Sequence, residues 1–154
     1  MDKSFRIIFF CVWLVAGFLP QSSAQTLAFD RFSVDNGLSN SHVYCVFQDS
    51  TGFIWIGTED GLNRFDGFSF RIYRNVPGDT TSLPDNVIYG ICPDAGDDFW
   101  VATNSGIARY NSEFDYFENI PFFRGGKKIS DVQVNDVIKT SRGSVFAATN
   151  TGLF

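Results

Sequence analysis

The sequence predicts an all-β fold, an incomplete β-propeller with about two and a half four-stranded antiparallel blades. The first observation is a repeat, because Ile54–Leu62 returns 45 residues later as Phe99–Ile107 and a third time as Val145–Leu153. The second is that each copy consists of short β-branched and aromatic runs, separated by turns that contain glycine or aspartate. Such strand-turn units, recurring every ~40–50 residues, are typical of propeller blades.

Residues 1–24 are predicted to form a secretory signal peptide. Lys3 and Arg6 give a positive start, residues 7–19 form an apolar run, and small residues precede a cleavage site after Ala24. The alternative is an uncleaved membrane anchor, but the run is shorter than the ~20 residues that a spanning helix needs. We therefore expect the chain to be exported.

Residues 25–37 are assigned to an outer strand, Phe29–Val34, and an entry loop. The strand resembles the fourth strands of the blades, so we expect it to complete the last blade and latch the ring. Rings close with about four to eight blades, and the missing blades of the same parent chain are therefore expected partners. The blades present are assigned to residues 38–80 (blade 1), 81–126 (blade 2) and 127–154 (partial blade 3).

Blade 1 divides into strands at turns rich in Asp and Gly, which adopt the positive φ that short hairpins require. Its predicted strands are Val43–Phe47, Phe53–Thr58, Leu62–Phe65 and Phe68–Arg74. Blade 2 repeats the first three without a gap, and its fourth strand is predicted at Phe114–Phe117. Residues 124–128 are interpreted as a short loop, and partial blade 3 contains Val134–Lys139 and Ser144–Thr149.

Positions that recur at the blade period are expected to be structural. Trp55 and Trp100 favour packing between blades over ligand stacking. Gly57 has small counterparts in the later repeats, which we attribute to the close backbone of a neighbouring blade. Arg64 and Arg109 are expected to contact a carbonyl or a carboxylate. The positions assigned to the structural repeat are Trp55, Gly57, Gly61, Trp100, Gly106 and Gly152.

Composition and charge disfavour several kinds of partner and site. The chain has a net charge of −5 and no long basic run, so we expect no nucleic acid partner. One histidine and two cysteines beyond residue 24 give no zinc spacing, so neither a metal nor another cofactor is expected. Cys45 and Cys92 lie in predicted inner strands, and the sequence leaves open whether they pair.

No catalytic residue is assigned, and we expect this chain not to be an enzyme. The acidic pairs Glu59-Asp60 and Asp97-Asp98 lie in predicted turns, where aspartate caps its own backbone and faces water. The sequence contains no evident nucleophile-base pair and no glycine-rich phosphate loop.

Ligand binding is the better hypothesis, at the loops that enter the innermost strands and those that join the second and third strands. Amide, carboxylate, hydroxyl and imidazole groups in these loops suit the hydroxyls of an oligosaccharide. The same groups also suit turn formation and strand-entry capping, and that alternative stays open. The candidate ligand-binding residues are Asn40, Ser41, His42, Asp60, Asn86 and Asn104.

Three motifs of the first repeat carry a resemblance to a known family. They are Gly-Leu-Ser-Asn at 37–40, Val-Phe-Gln-Asp at 46–49 and Ile-Trp-Ile-Gly-Thr at 54–58. Together they resemble the two-component regulator propeller repeat. The resemblance covers residues 28–154, although the motif is looser in blade 2 and degraded in blade 3.

The resemblance implies a periplasmic, glycan-sensing propeller segment of a hybrid two-component histidine kinase that signals by phosphorelay. The membrane helix and the kinase of such a parent are not in this sequence, so kinase activity is not carried over. Membrane contact is expected only through the parent, which would be anchored in the inner membrane and is compatible with a homodimer. Two alternatives remain: the N-terminal part of an exported propeller carbohydrate-active enzyme, or a non-catalytic interaction scaffold.

Overall fold

The computed structural model describes residues 28–154, so the predicted signal peptide and residues 25–27 lie outside the described residues. The chain divides into two units at Arg31/Phe32, and every strand below belongs to the unit Phe32–Phe154. Residues 28–31 contain no helix or strand.

The structure confirms the all-β prediction, with antiparallel sheets in which strands neighbouring in sequence are also neighbours in space. Blade 1 is β1 (Val43–Gln48), β2 (Ile54–Thr58), β3 (Gly61–Phe65) and β4 (Phe70–Tyr73). Blade 2 is β5 (Ile88–Pro93), β6 (Phe99–Thr103), β7 (Gly106–Asn111) and β8 (Tyr116–Ile120). A hairpin of β9 (Phe122–Arg124) and β10 (Lys127–Ile129) follows. Partial blade 3 is β11 (Val134–Lys139), β12 (Val145–Thr149) and β13 (Gly152–Leu153).

Each inner strand contains a β-bulge at the same position. The pairing of β1 with β2 shifts between Val43 and Cys45, and the pairing of β5 with β6 shifts between Ile88 and Gly90. The pairing of β11 with β12 shifts equivalently, at Asn135. A bulge inserts one unpaired residue and redirects its side chain. The three blades therefore share a register that is interrupted at one defined point.

The main core lies between blades 1 and 2 and is aromatic. Trp55 is 1% exposed and packs edge-on against Phe99, with ring centroids 4.7 Å apart. Leu62, Ile88 and Phe99 are fully buried in the same cluster. Because each blade has a buried face that only a neighbouring blade covers, the stability of one blade depends on the next.

Gly57 has no room for a side chain, but the atoms that crowd it are not those expected from the sequence. A Cβ at this position would meet Cys45 Sγ and would lie 2.8 Å from Ile88 Cγ2. The crowding therefore comes from side chains, one of them on the neighbouring blade, rather than from that blade's backbone. Cys45 and Cys92 are both free, and burial raises the pKa of the Cys45 thiol to about 11.

The fourth strands differ from their predicted bounds because the preceding turns are longer. In blade 1, Asp66 Oδ1 accepts hydrogen bonds from the N–H groups of Phe68 and Ser69 at 2.8 and 2.7 Å, which holds both residues in the turn. In blade 2, Asp115 has a φ of 56°, so the turn runs on and β8 starts at Tyr116. Aspartate is one of the few residues that tolerate this left-handed conformation.

Two further segments depart from the sequence interpretation. Val34, placed in an outer strand, lies in the 3-10 helix Val34–Asn36, which Ser33 caps, and residues 28–33 form no strand. The expected latch partner lies in a blade outside this chain, so the latching role stays a prediction. Residues 124–128, interpreted as a loop, belong to the β9–β10 hairpin, whose turn residues Gly125 and Gly126 both have positive φ. The boundary drawn at 126/127 falls inside the hairpin, between its turn and β10.

Candidate functional site

One end of each blade carries the loops that were expected to bind ligand. In every repeat the turn after the second strand donates a backbone hydrogen bond to the loop that enters the inner strand. The donor-acceptor pairs are Glu59–His42 (3.1 Å), Asn104–Val87 (3.1 Å) and Asn150–Gln133 (3.0 Å). We call this end the loop face; it consists of the entry loops 39–42, 84–87 and 130–133 and the turns 59–60, 104–105 and 150–151.

A threonine organises the second-strand turn on the loop face in each repeat. The hydroxyl of Thr58 donates to the carbonyl of Gly61 at 2.9 Å and accepts from the N–H of Asp60 at 3.1 Å. Thr103 and Thr149 make the same pair of bonds in the following repeats. Gly61 is required here, because its φ is 119° and a Cβ would lie 2.7 Å from the carbonyl oxygen of Tyr73. The turn is therefore rigid.

Three of the six candidate ligand-binding residues are engaged by the protein itself. Asn40 Oδ1 accepts from the N–H of His42 at 2.7 Å, which closes the entry turn. Asp60 Oδ2 pairs with Arg74 Nη2 at 2.9 Å. Asn86 Oδ1 accepts, at 2.7 Å, from a backbone N–H in the loop that joins blades 1 and 2. These contacts are the turn and capping chemistry that the sequence left open as the alternative.

The other three candidates, Ser41, His42 and Asn104, are exposed. Asn104 Nδ2 lies 3.5 Å from Asp85 Oδ2, which is a weak contact. The His42 side chain is 61% exposed, and its Nδ1 lies 3.6 Å from a carboxylate oxygen of Glu59. The loop face therefore offers hydroxyl, imidazole and amide groups to solvent.

An aromatic row that sequence reasoning missed lies beside these groups. The bulges place Tyr44 and Tyr89 on neighbouring blades with ring centroids 5.2 Å apart, and the His42 ring stacks on Tyr44 at 4.7 Å. Tyr44 is 39% exposed. We define the aromatic row as His42, Tyr44 and Tyr89. The recurrence of the two tyrosines was visible in the sequence, but the bulge that redirects them was not.

The opposite end of the blades is held by partly buried carboxylates. Asp49 accepts from Trp55 Nε1 at 2.7 Å and from the N–H of Phe53 at 3.0 Å. Burial raises the pKa of Asp49, but these hydrogen bonds together with those from Thr51 lower it more, so the net pKa is below its usual value. Asp49 therefore has a structural role at this end of blade 1.

In blade 2 the equivalent carboxylate is ion-paired. Asp94 pairs with Arg109 Nε at 2.7 Å and also with Lys139 of blade 3, while Arg109 Nη2 reaches Asp98 at 2.9 Å. Burial opposes these contacts, but they lower the pKa of Asp94 overall. Arg109 thus contacts carboxylates. Arg64 differs from expectation, because its guanidinium stacks over the ring of Phe53 at 4.7 Å.

Within residues 28–154, no group of three or more His, Cys, Asp or Glu side chains is arranged to hold a metal ion. The same residues contain no helix with the length and apolarity that crossing a membrane requires.

The repeated antiparallel blades define part of a β-propeller. The family model of the two-component regulator propeller matches residues 37–60 and 82–105. The two matched segments hold the entry loop and the first two strands of blade 1 and of blade 2.

Known proteins of similar sequence or structure belong to signalling systems. A histidine kinase of Formosa agariphila is 44% identical over 79 residues, which cover 51% of this chain and 6% of that protein. The extracellular domain of a proposed hybrid two-component system from B. thetaiotaomicron is 26% identical with a TM-score of 0.67, over 77% of this chain and 17% of that chain.

A second extracellular domain from B. thetaiotaomicron, of a proposed one-component system, shares the fold with a TM-score of 0.67 and 23% identity. It is matched over 85% of this chain and 19% of that chain. This chain therefore spans less than a fifth of each of these three proteins.

Proposed function

We propose that this chain is part of the extracytoplasmic ligand-sensing propeller of a two-component sensor. The observation that carries the proposal is the presence of two regulator propeller repeats, in a chain whose similar proteins include a histidine kinase. The parent would be a hybrid sensor kinase that is anchored in the inner membrane and signals by phosphorelay. This chain would supply recognition and would take no part in the phosphoryl chemistry.

The ligand is an oligosaccharide, bound on the loop face along the aromatic row. Tyr44 and Tyr89 offer ring faces whose negative quadrupole attracts the polarised C–H bonds of a sugar ring. Ser41 and Asn104, on the same face, have donors and acceptors suited to sugar hydroxyls. Asn40, Asp60 and Asn86 would contribute indirectly, by holding the loops in place.

Binding is relayed by a change in packing between blades or between propellers. A ligand shifts a conformational equilibrium only by its differential affinity for the two states. The aromatic row fulfils this requirement because Tyr44 belongs to blade 1 and Tyr89 to blade 2, so one sugar chain in contact with both is sensitive to their separation.

The test is oligosaccharide binding by the full-length protein, measured by calorimetry with a panel of neutral oligosaccharides. Tyr89→Ala is expected to weaken binding about 5- to 150-fold, if a ring face contributes about 1–3 kcal/mol here as it does when a nucleobase stacks on an aromatic side chain. Tyr116→Ala, on an outer strand, is the matched control and should bind as the wild type does.

Equal affinity in the wild type and Tyr89→Ala would refute the aromatic row as the binding site. Cleavage of the oligosaccharide during the titration would contradict a purely sensory role and would favour the carbohydrate-active enzyme.

A further inference from the structure

A cavity of about 400 Å³ opens between blade 2 and the segment that leads to blade 3. Its apolar wall includes Ile107, Ile120 and Phe122, and its polar rim includes Lys128, Ser130 and Asp131. The volume lies within the range of ~300–1,000 Å³ typical of small-molecule sites, and a mostly apolar wall with a few polar groups is their usual composition.

The corresponding place between blades 1 and 2 is closed by polar contacts. Asn86 accepts from the N–H of Gly61 through its carbonyl at 2.7 Å and from the N–H of Asn75 through its side chain at 2.7 Å. Arg74, which precedes Asn75, pairs with Asp60, which precedes Gly61, so an ion pair within blade 1 borders these contacts. These contacts leave the first junction sealed at the loop face.

The residues that seal the first junction are replaced at the second. Tyr73 pairs with Leu62 and Ile120 with Ile107, so the residues after Ile120 correspond to those after Tyr73. Pro121 and Phe122 therefore stand where Arg74 and Asn75 do, and Val132 stands where Asn86 does, two residues before the inner strand. Pro121 cannot form an ion pair as Arg74 does, and Val132 cannot accept a hydrogen bond through its side chain as Asn86 does. The cavity lies at the place that these contacts close in the first junction.

Two groups on the rim are chemically available. Within residues 28–154, Lys128 has no carboxylate within salt-bridge distance, although the chain as a whole is acidic. Asp131 and Ser130 line the same cavity, and the Ser130 hydroxyl donates to Asp131 Oδ2 at 3.2 Å in an exposed contact. The rim thus combines one cation with groups that bind hydroxyls.

We propose that this cavity binds a carboxylated sugar unit, a hexuronate. The Lys128 ammonium pairs with the sugar carboxylate, and Asp131 and Ser130 accept from or donate to its hydroxyls. Phe122 and Ile120 cover the apolar face of the ring. The proposal rests on the proposed function in taking the ligand to be a saccharide, and it adds a second site and an anionic specificity.

Two adjacent lysines provide the test. Lys127 and Lys128 are neighbours on β10, and side chains at successive strand positions point to opposite faces; only Lys128 lines the cavity. Lys128→Gln and Lys127→Gln thus remove the same charge from opposite faces of one strand. The probes are an oligogalacturonate and the neutral galactose oligomer of equal length, titrated into the full-length protein.

We expect Lys128→Gln to weaken oligogalacturonate binding about tenfold and to leave binding of the neutral oligomer unchanged, since only a charge-assisted contact is lost. Lys127→Gln should leave both unchanged. Ser130→Trp, which obstructs the cavity mouth without altering charge, should also weaken binding of the uronate.

Equal effects of the two lysine variants would overturn the site, because the attraction would then be a general charge effect. Equal affinity of the wild type for the two oligomers would overturn the anionic specificity. Failure of the proposed function is distinguishable, since it appears as unchanged affinity for neutral oligosaccharides in Tyr89→Ala.

Discussion

The two junctions between consecutive blades share one register but are closed differently. The first is tied by polar contacts at the loop face and by Asp115, which accepts from the hydroxyls of Tyr73 and Tyr110 at 2.8 and 2.7 Å. The second is tied at the opposite end, where Lys139 of blade 3 pairs with Asp94, and is open at the loop face.

The repeated pattern of apolar residues forms the blades in both cases. Whether a junction is open or closed depends on a few positions, where the first junction has polar residues and the second has Pro121 and Val132. A ligand in the open junction would contact both blade 2 and the segment entering blade 3. Binding there would favour one relative packing of the two.

Removal of Trp55 should disrupt the sealed junction most strongly. Trp55→Ala is expected to lower the free energy of unfolding by about 3–5 kcal/mol, because a large buried ring leaves a cavity between two blades. Phe146→Ala, at the equivalent position in blade 3, should cost less since Phe146 is 38% exposed. Urea unfolding measures both, and equal losses would contradict the view that the first junction holds the main core.

Neutralising Asp115 should loosen the same junction in a pH-dependent way. Asp115→Asn removes the charge that pairs with Arg71 Nη1 at 2.6 Å and weakens the acceptor used by two tyrosines. We expect a loss of about 1–3 kcal/mol at pH 7. Burial raises the Asp115 pKa, but the hydrogen bonds of Tyr110 and Tyr73 and the charge of Arg71 lower it more. Burial and the bond to Asp115 conversely raise the pKa of Tyr110 to about 12.

A lowered folded-state pKa fixes the sign of the pH effect. The stabilisation by Asp115 is complete above the unfolded pKa of about 3.9 and is lost as the pH falls through the lower folded value. The difference in unfolding free energy between wild type and Asp115→Asn should therefore shrink below about pH 4. Urea unfolding at a series of pH values tests this, and a difference that grows toward acid would contradict it.

Much of the fold could be predicted because the same pattern of strands and turns occurs three times in the sequence. Turn residues at equivalent positions of the repeats mark the ends of the strands, and a strand that is ambiguous in one repeat can be assigned from another. The β9–β10 hairpin has no counterpart in the other repeats, and its three-residue strands carry Arg124, Lys127 and Lys128, which mask any apolar alternation. The bulges were hidden because one extra residue changes pairing without changing residue type.

The candidate site was harder to predict because its side chains are engaged by residues distant in the sequence. Asn86 accepts from Asn75, 11 positions away in the loop that joins the blades, and Asp60 pairs with Arg74, 14 positions away in blade 1, and both contacts exist only in the folded chain. Exposed Asn104 has the same residue type as the engaged Asn40 and Asn86, so residue type alone does not separate the two groups. Tyr89 recurs at the position of Tyr44, but the orientation of its side chain depends on the bulge, which residue types do not reveal.

The smallest expected change in the free energy of unfolding concerns the tryptophan that recurs as Trp55 in blade 1 and Trp100 in blade 2. Trp55 Nε1 donates to Asp49, but in blade 2 the equivalent Asp94 is occupied by Arg109 and Lys139. Trp100 Nε1 is consequently buried without a hydrogen-bond partner in the structure. A buried donor of this kind costs about 1–3 kcal/mol, which offsets part of the packing gained from the larger ring.

Trp100→Phe is therefore expected to change the free energy of unfolding by less than about 1 kcal/mol, whereas Trp55→Phe should cost about 1–3 kcal/mol by breaking the bond to Asp49. The third repeat already has a phenylalanine, Phe146, at this position. Urea unfolding of the two variants measures the contrast. A larger loss for Trp100→Phe than for Trp55→Phe would mean that the ion pairs of Asp94 do not displace the indole bond, and the two junctions would then differ less than their contacts indicate.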